Sequence, residues 1–494
     1  MKLKELLCGI RIIESNLDLN VDIEAISSDS RKVGKNSVFV ATRGTKRNGN
    51  EYINNALHSG AVAIVTDEIN ACVSSIPYIL VRNTKSAVSL LWSNYYGRPA
   101  KNMKIVAITG TNGKTTTAYY LYNILKEARV KCGLISTIEC LANDEVIETN
   151  GGGSVVDISS AMTTPDPETL YYILNIMKKK GVNVVVMEAS SHALTQNRID
   201  GIDVEIGCFT NLSKEHLDYH GSMEEYFEAK KKLIIKSKIS VVNADDKYGK
   251  LLIGTQGKQV LGLSFEGKGC FNVENVSSNE RGSSFELVFK EKHLRLNTGL
   301  IGKFNAYNAS LAASCALLMG VDEKAIIEGI KKTECVKGRL ERYKDREIYI
   351  DYAHTPEAVQ NILVTVREIK KNKRIIVLFG CGGDRDKSKR SEMGKICSSF
   401  ADCTIITSDN SRNENPDEII KDILKGVRGD SSYCVIPDRR EAIAYLASIL
   451  NDDSVGLLLG KGHESYEINK DGKLYFSEKE ILDEVLKVDR KHIL

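Results

Sequence analysis

A glycine-rich turn at residues 110–113 constrains the fold of this chain more than any other feature of its sequence. It follows an apolar run at residues 104–108 and leads at once into a helical pattern over residues 116–128. A strand, a tight glycine turn and a helix in that order direct main-chain N–H groups and the positive helix end at one point. Because that point suits phosphate oxygens, the sequence predicts an α/β domain that binds ATP or GTP.

The residues of this turn have individual expected roles. Lys114 is expected to reach the β- and γ-phosphates, and the Thr115 hydroxyl is expected to hold Mg²⁺. The pattern is shorter than the strict G-x-x-x-x-G-K-[ST] form, because residue 108 is Ile. The segment reads Gly110, Thr111, Asn112, Gly113, Lys114, Thr115 and Thr116.

Alternating apolar runs and helical patterns divide the 494 residues into three expected α/β domains. A linker-like segment lies at residues 95–102, and a second break lies at residues 331–339, where Gly338 is a candidate hinge. The central domain is expected to hold a P-loop-type, mostly parallel sheet with helices, and the last a Rossmann-like α/β arrangement. The expected strands are 37–41, 61–65, 104–108, 182–187, 240–242, 375–379, 403–407 and 455–459. The expected domains are residues 1–98, 99–333 and 334–494.

Composition excludes several classes of protein. The net charge of +3 is too close to zero for a protein with a general nucleic-acid-binding surface. The basic runs 178–180, 230–232 and 370–374 are therefore interpreted as solvated helix faces or turns. No apolar stretch approaches the roughly 18 residues of a membrane helix, and the first residues make a poor signal peptide. The 12 cysteines form no C-x-x-C pair, which favours reduced thiols in the cytoplasm. We expect no nucleic acid partner and no membrane insertion.

Polar residues follow the next strands of the central domain, where groups that assist phosphate chemistry are expected. Glu188 comes directly after the run 182–187, and His216 lies in a polar segment after another short strand. Together they could bind a divalent cation between nucleotide and substrate. A lone histidine is more often a core or surface residue, but several lie in such strand-end motifs, which favours function: His192, His216, His220, His354 and His463. Lys230 has no such signal and is interpreted as a solvated helix lysine.

Four polar segments follow predicted strands of the last domain. Arg385 and Arg412 suit carboxylates, whereas Asp409 and Glu464 could pair with ammonium groups. Each segment alone could be a turn that caps a helix, but four at successive strand ends favour a binding cleft. Opposite charges that line one cleft suit a zwitterion such as an amino acid. The segments are 351–356, 380–386, 409–416 and 460–464.

This set of motifs resembles the Mur ligases of peptidoglycan synthesis, and within them the tripeptide-forming type. The resemblance implies an ATP-dependent ligase that adds meso-diaminopimelate to the D-glutamate side-chain carboxylate of UDP-N-acetylmuramoyl-L-alanyl-D-glutamate through an acyl phosphate. It implies ATP and Mg²⁺ as cofactors, and closure of the last domain about Gly338; we expect a monomer. The matching segments span nearly the whole chain: 28–31, 38–41, 110–116, 187–192, 210–220, 351–356, 380–386 and 460–464.

The same resemblance implies roles for individual residues. The UDP-sugar-peptide would contact Ser28, Ser30, Thr45, Lys46, Arg47, Thr163, Thr164, Ser190, Gln196 and Arg198. ATP would contact the loop 110–116 together with Asn308, Arg339 and Asp351. The amino acid would contact Arg385, Asp409, Asn410, Ser411, Arg412, Gly460 and Glu464. Lys114, His216 and Lys230 would be catalytic, and the metal ligands would be Thr115, Glu188, His216 and Lys230 as its carbamate.

Alternatives remain for the substrate and for the activity. Members that add meso-diaminopimelate resemble one another at Asp-Asn-Pro-Arg, but this chain has Ser411 before Arg412, so L-lysine is the alternative amino acid. A folylpolyglutamate synthetase shares the phosphate loop, although Thr116 after Thr115 and the UDP-type first domain argue against it. A nucleotide-gated switch without ligation chemistry would leave the zwitterion cleft unexplained.

Overall fold

The computed structural model describes residues 1–44, 47–68, 76–147 and 162–489. Thr45 and Lys46, which are expected at the uridine nucleotide, lie outside the described residues. Over those residues the chain folds into three mostly parallel sheets, whose strands fall within residues 12–81, 104–298 and 341–459. The predicted α/β class is therefore confirmed.

The first sheet holds mainly parallel strands. Its strands are β1 (Ile12–Ser15), β2 (Ala25–Ser27), β3 (Ser37–Val40), β4 (Ala61–Thr66) and β5 (Tyr78–Val81). In the described residues they lie in the order β1-β5-β4-β3-β2, with only β1 antiparallel to its neighbour. Its helices are α1 (Leu3–Leu6), α2 (Ile53–His58) and α3 (Thr84–Tyr95). Leu91 and Trp92 of α3 join one core with residues of the central sheet. The first sheet with its helices (the first unit) therefore packs directly on the central sheet with its helices (the central unit); the third sheet with its helices is called the third unit.

The central sheet is the largest. Its strands are β6 (Lys104–Thr109), β7 (Cys132–Ile135), β8 (Cys140–Ala142), β9 (Glu145–Val146), β10 (Val184–Glu188), β11 (Val204–Phe209), β12 (Ser237–Asn243), β13 (Gln259–Ser264), β14 (Phe271–Asn279), β15 (Gly282–Phe289) and β16 (Lys292–Thr298). Over the described residues the order is β16-β15-β14-β13-β12-β11-β6-β10-β7-β8-β9. The strands from β14 to β7 run parallel, whereas antiparallel hairpins extend both edges.

Alternation along the central strands places helices on both faces of this sheet. Ile105 and Ala107 share a core with α5, whereas Val106 and Ile108 share one with α4, α10 and α11. The helices are α4 (Lys114–Glu127), α5 (Pro167–Lys179), α6 (Ser191–Thr195), α7 (Leu217–His220), α8 (Met223–Lys236), α9 (Lys247–Ile253), α10 (Lys303–Leu318) and α11 (Glu323–Lys331). Because the strands are parallel, the loops after β6, β10 and β11 meet at one edge.

The third sheet also has helices on both faces. Its strands are β17 (Glu341–Arg342), β18 (Ile348–Asp351), β19 (Arg374–Phe379), β20 (Cys403–Ile406), β21 (Tyr433–Val435) and β22 (Ser454–Leu459), and β23 (Tyr466–Asn469) and β24 (Gly472–Tyr475) form a separate hairpin. In the described part the order is β17-β18-β22-β19-β20-β21, with β17 antiparallel. The helices are α12 (Pro356–Ile369), α13 (Ser388–Phe400), α14 (Pro416–Leu424), α15 (Arg439–Ile449) and α16 (Glu478–Asp489). Helices α12 to α14 cover one face, and α15 and α16 cover the other.

The third sheet closes on the central unit through apolar and charged contacts. Ile301, between β16 and α10 of the central unit, belongs to the core of the third sheet. The Lys370 ammonium is 2.9 Å from the Glu280 carboxylate of the central hairpin and 2.8 Å from that of Glu347, and its side chain is only 4% exposed. The interpretation of Lys370 as a solvated lysine is therefore wrong. Among the described residues, no helix combines the length and apolar character needed to cross a membrane.

Candidate active site

A cavity of about 860 Å³ lies between the central and third sheets, at the carboxyl ends of their strands. It contains the glycine-rich loop on the central side and the loops after β18, β19, β20 and β22 on the other side. The switch-point edge of a parallel sheet is where ligands of α/β proteins bind. The two predicted clusters, for phosphate and for a zwitterion, thus face one space.

The glycine-rich loop adopts the predicted strand–turn–helix geometry. Gly113 has φ +85°, and a Cβ there would lie 2.3 Å from Asn308 Oδ1; Gly110 has φ +148°, and a Cβ there would lie 1.8 Å from Thr210 Oγ1. Both positions therefore require glycine. The Lys114 ammonium donates to the carbonyls of Gly110 (3.0 Å) and Thr111 (2.8 Å), and burial lowers the pKa of Lys114.

Residues expected at the adenosine approach this loop from both sheets. Arg339 Nη2, from the third unit, donates to the Thr115 hydroxyl at 3.0 Å, and the guanidinium lies over the Tyr352 ring at 4.8 Å. Asp351 accepts hydrogen bonds from the N–H groups of residues 340 and 353. Asn308, Arg339 and Asp351 all line the cavity with residues 111–116. The structure thus brings the expected nucleotide-binding residues together.

The predicted metal-binding residues also lie at this edge. Glu188 is fully buried and accepts from the Thr137 N–H (2.9 Å) and the Thr137 hydroxyl (3.1 Å). The His216 ring lies 4.8 Å from the His192 ring, and burial lowers the pKa of His216 to about 3, so its imidazole is neutral. The Glu188 carboxylate and the Thr115 hydroxyl are oxygen donors of the kind that suit a hard cation. Among the described residues, no group of three or more His, Cys, Asp and Glu is placed to hold a metal ion.

Lys230 is buried, contrary to its interpretation from the residues alone as a solvated lysine. It is 1% exposed, and its Nζ donates to the Gly110 carbonyl at 2.8 Å and lies 4.6 Å from the centroid of the Tyr226 ring. Burial, followed by the nearby charge of Lys114, lowers the pKa of Lys230 well below its usual range. A neutral amine is the form that can react with CO₂ to give a carbamate. Such a carbamate would place a carboxylate beside the glycine-rich loop.

Glu215 is a site residue that sequence reasoning missed. Its Oε1 lies 2.8 Å from His354 Nε2, and its Oε2 lies 3.6 Å from His216 Nε2. His354 belongs to the third unit, so this contact joins the two walls of the cavity. Burial opposes ionisation of Glu215, but its hydrogen bond with His354 and the nearby charge of Lys114 hold its pKa well below the usual range. Its position directly before His216 was the available signal.

The loops of the third unit bring both positive and negative side chains to the cavity. Asn410 Nδ2 donates to Glu464 at 2.9 Å, while Asn410 Oδ1 accepts from the buried Lys461 ammonium at 3.1 Å, which fixes the orientation of the amide. Arg412 has φ +52° and donates to the Gly383 carbonyl at 2.8 Å. Burial, and then the nearby Arg385, lower the pKa of Arg412, whereas burial raises the pKa of Glu464. An anionic group is thus favoured between the two guanidinium groups.

Of the other residues expected at the amino acid, Asp409 and Gly460 line the cavity, whereas Ser411 does not. Gly460 has φ +112°, and a Cβ there would lie 2.6 Å from Asp409 Oδ2, so the two loops touch at glycine. Asp409 lines the cavity with Gly460, and Lys461 and Arg439 keep the pKa of Asp409 low although burial opposes ionisation. Ser411 is buried but does not line the cavity.

The residues expected at the sugar-peptide form a network beside the cavity. The Thr164 hydroxyl donates to the Glu188 carbonyl at 2.9 Å and accepts from the Ser190 N–H. Arg198 donates to the Thr164 carbonyl at 2.6 Å and to Gln196 Oε1 at 2.8 Å. Thr163 lines the cavity itself. This network extends the site from Glu188 toward the first unit.

The residues expected at the uridine nucleotide lie apart from the cavity. Ser28 and Ser30 follow β2 of the first sheet, and the Arg47 carbonyl accepts from the Gly44 N–H at 2.9 Å. None of the three lines the interdomain cavity within the described residues.

Three models of one protein family match successive parts of the chain. They are described as the Mur ligase family catalytic domain (residues 22–89), the Mur ligase middle domain (residues 108–316) and the Mur ligase glutamate ligase domain (residues 338–462). Their order follows the order of the three sheets.

Similar proteins match the chain over nearly its full length. A UDP-N-acetylmuramoyl-L-alanyl-D-glutamate–2,6-diaminopimelate ligase of Caldanaerobacter subterraneus subsp. tengcongensis is 38% identical, over 99% of this chain and 100% of that protein. A protein of the same name from Aquifex aeolicus is 38% identical, over 94% of each chain. A solved structure of a ligase with that name is 27% identical, with a TM-score of 0.68 over 99% of both chains. Mycobacterium tuberculosis folylpolyglutamate synthase, solved with ADP and AMPPCP, shares the fold at 17% identity, with a TM-score of 0.62 over 76% of this chain and 92% of that one.

Proposed function

The chain belongs to the Mur ligase family, and from this premise we propose that it joins meso-diaminopimelate to UDP-N-acetylmuramoyl-L-alanyl-D-glutamate with conversion of ATP to ADP and phosphate. The observation that carries the proposal is one cavity with a phosphate loop on one wall and Arg385, Arg412, Asp409 and Glu464 on the other. The names of the relatives agree with it. We also propose the domain limits 1–98, 99–333 and 334–494.

The reaction we propose has two steps. An oxygen of the D-glutamate side-chain carboxylate attacks the γ-phosphorus of ATP, ADP leaves, and an acyl phosphate forms. The amine of the diamino acid then attacks the acyl carbon, loses its proton, and expels phosphate. Lys114 and the N–H groups of the loop stabilise charge that gathers on the phosphate oxygens. Closure of the third unit, which places Arg339 on Thr115, keeps water from the acyl phosphate.

Mg²⁺ fits the donors beside the loop. When bound, Mg²⁺ would neutralise phosphate charge during transfer. Thr115, Glu188, His216 and the carbamate of Lys230 would hold it. The neutral state of His216 and the depressed pKa of Lys230 support these roles.

We propose that the distal carboxylate of meso-diaminopimelate lies against Arg412 and Arg385, and an ammonium group against Asp409 and Glu464. Burial lowers the pKa of Arg412, and the nearby Arg385 lowers it further; a bound carboxylate would relieve the repulsion between the two guanidinium groups. L-Lysine lacks this carboxylate, so it would leave both arginines without an anion. Because two of its substrates are nucleotides, we further propose that the protein acts in the cytoplasm. We also propose that it is a monomer.

Phosphate release tests this function directly. Purified protein is incubated with ATP, Mg²⁺ and UDP-N-acetylmuramoyl-L-alanyl-D-glutamate, with either meso-diaminopimelate or L-lysine. Stimulation by meso-diaminopimelate alone is the expected result, and stimulation by L-lysine alone would transfer the assignment to the lysine-adding type. No stimulation by either would contradict the ligase proposal, and ADP formation with folate and L-glutamate would favour a folylpolyglutamate synthetase.

A further inference from the structure

A buried arginine lies beneath the charged loops of the third unit and does not line the cavity. Arg439, the first residue of α15, is 0% exposed at its side chain. Its Nη1 donates to the Ser408 carbonyl at 3.2 Å, and its Nη2 donates to the Leu459 carbonyl at 2.9 Å. One planar group therefore bonds the ends of two different strand–loop segments.

These two carbonyls occupy matching places in the chain. Ser408 directly precedes Asp409, and Leu459 directly precedes Gly460. The loops that follow, residues 409–412 and 460–464, contribute Asp409, Asn410, Arg412 and Glu464 to the charged cluster. The separation and direction of the two carbonyls thus set the spacing between the loops.

The charge of this arginine is balanced by the last helix. Glu478, at the start of α16, accepts from Arg439 Nε at 3.0 Å and from Nη2 at 2.8 Å through one oxygen. Its other oxygen, Oε2, has no hydrogen-bond partner among the described residues. A buried guanidinium needs such an anion, because an unpaired buried charge is strongly destabilising. Arg439 and Glu478 therefore act as a unit.

We infer that Arg439 is a positioning residue for the diamino acid, because it ties the loops 409–412 and 460–464 to each other from below. The inference rests on the proposed function for the identity of the substrate. A lysine at this position cannot replace the arginine, because its single ammonium lacks the planar set of donors that reaches a carboxylate and two carbonyls together. Loop spacing would then relax even though the charge is kept.

The test compares Arg439→Lys with Arg367→Lys in the full-length protein. Arg367 is a matched control, because it donates to the Lys373 carbonyl (3.3 Å), the Phe400 carbonyl (3.2 Å) and the Asp402 carboxylate (2.6 Å) at the opposite ends of the strands. In steady-state assays, Arg439→Lys is expected to raise KM for meso-diaminopimelate about tenfold and KM for ATP less than about twofold. Arg367→Lys should leave both KM values near those of the parent protein.

Amide hydrogen exchange without any substrate separates this inference from the proposed function. Arg439→Lys should accelerate exchange in both loops, for example at the N–H groups of Arg412 and Gly460, which donate to the carbonyls of Ile468 and Asp351. Unchanged exchange in either loop, or equal acceleration in Arg367→Lys, would overturn the inference whether or not the protein is a ligase. If the parent protein showed no ligation activity, only the proposed function would be contradicted.

A second variant covers the case in which Arg439→Lys fails to fold. Glu478→Asp keeps the anion but shortens its side chain, which draws the guanidinium away from the two carbonyls. The same faster exchange in both loops is expected, together with the same selective rise in KM for meso-diaminopimelate. Exchange at the parent rate in this variant would overturn the inference.

Discussion

The amine of Lys230 shows how burial changes the chemistry of one side chain. Lys230→Ala removes the group that we propose to carry the carbamate, so ligation should fall by about a hundredfold or more. Added bicarbonate should not restore it. Phosphate release measures the loss, and Lys231→Ala is the matched control, because Lys231 is the next residue of α8 and forms an exposed ion pair with Glu228. Equal activity of the two variants would contradict the role of Lys230.

Substitution of Arg412 tests which amino acid the protein adds. Arg412→Ala removes a charge-assisted contact to the distal carboxylate, so KM for meso-diaminopimelate should rise about tenfold to a hundredfold. KM for ATP should stay within about twofold. Arg440→Ala, which removes an exposed arginine paired with Glu484, should change neither KM value. Similar increases for both substrates in Arg412→Ala would count against the specificity role.

The structure brings to the cavity several predicted site residues whose local sequence is distinctive. Lys114 and Arg412 lie in strand-end motifs, and both face the cavity. Lys230 was misread because the burial of a helix lysine depends on which elements pack against the helix, and no local pattern records that. Glu215 was missed because its partner His354 is remote in the sequence.

Nucleotide binding can be tested by a substitution that changes the geometry of the glycine-rich loop. Gly113→Ala would place a Cβ 2.3 Å from Asn308 Oδ1 at φ +85°, so affinity for ATP should fall about tenfold or more. Gly97→Ala is the control, because Gly97 has φ +65° but nothing within 4 Å of a Cβ. The control should lower the free energy of unfolding by about 1 kcal/mol without changing ATP affinity. Isothermal titration calorimetry and thermal unfolding separate the two effects, and unchanged ATP affinity in Gly113→Ala would contradict the role of the loop.

The buried parallel strands could be predicted as elements, but the antiparallel hairpins could not. β6 and β19 are continuous apolar runs because helices cover both their faces. β16 alternates buried and exposed residues and β15 does so in part, whereas β14 is exposed beyond Val273. Such mixed polarity resembles a loop when only apolar runs are sought. The missed hairpins nevertheless supply Glu280 to the contact with the third unit.

The third unit is held against the central unit partly by a contact outside the cavity, the ion pair of Lys370 with Glu280. Lys370→Met preserves much of the side-chain volume but removes the ion pair with Glu280, while Glu347 keeps Arg342 and Lys373 as partners. The closed arrangement should become less populated, so kcat/KM should fall by about threefold to tenfold, and small-angle X-ray scattering should record a larger radius of gyration.

Lys421→Met is the control variant for Lys370→Met. Lys421 pairs with Glu418 on the exposed surface of α14 in the same unit. Exposed pairs contribute little to stability, so neither kcat/KM nor the scattering profile should change. If Lys370→Met and Lys421→Met gave identical scattering profiles, the contact with Glu280 would have no part in closure.

The anchoring of Arg439 by Glu478 has a consequence for how the chain is made. Translation proceeds from the amino terminus, and domains of a nascent chain generally fold in that order as they emerge from the ribosome. The loop 110–113 and its sheet are synthesised long before residue 478, so the phosphate-binding half can fold while the amino-acid half still lacks its anchor. A chain stalled before α16 would therefore carry a nucleotide site without a finished partner site. Completion of the last helix thus acts as the final assembly step of the site.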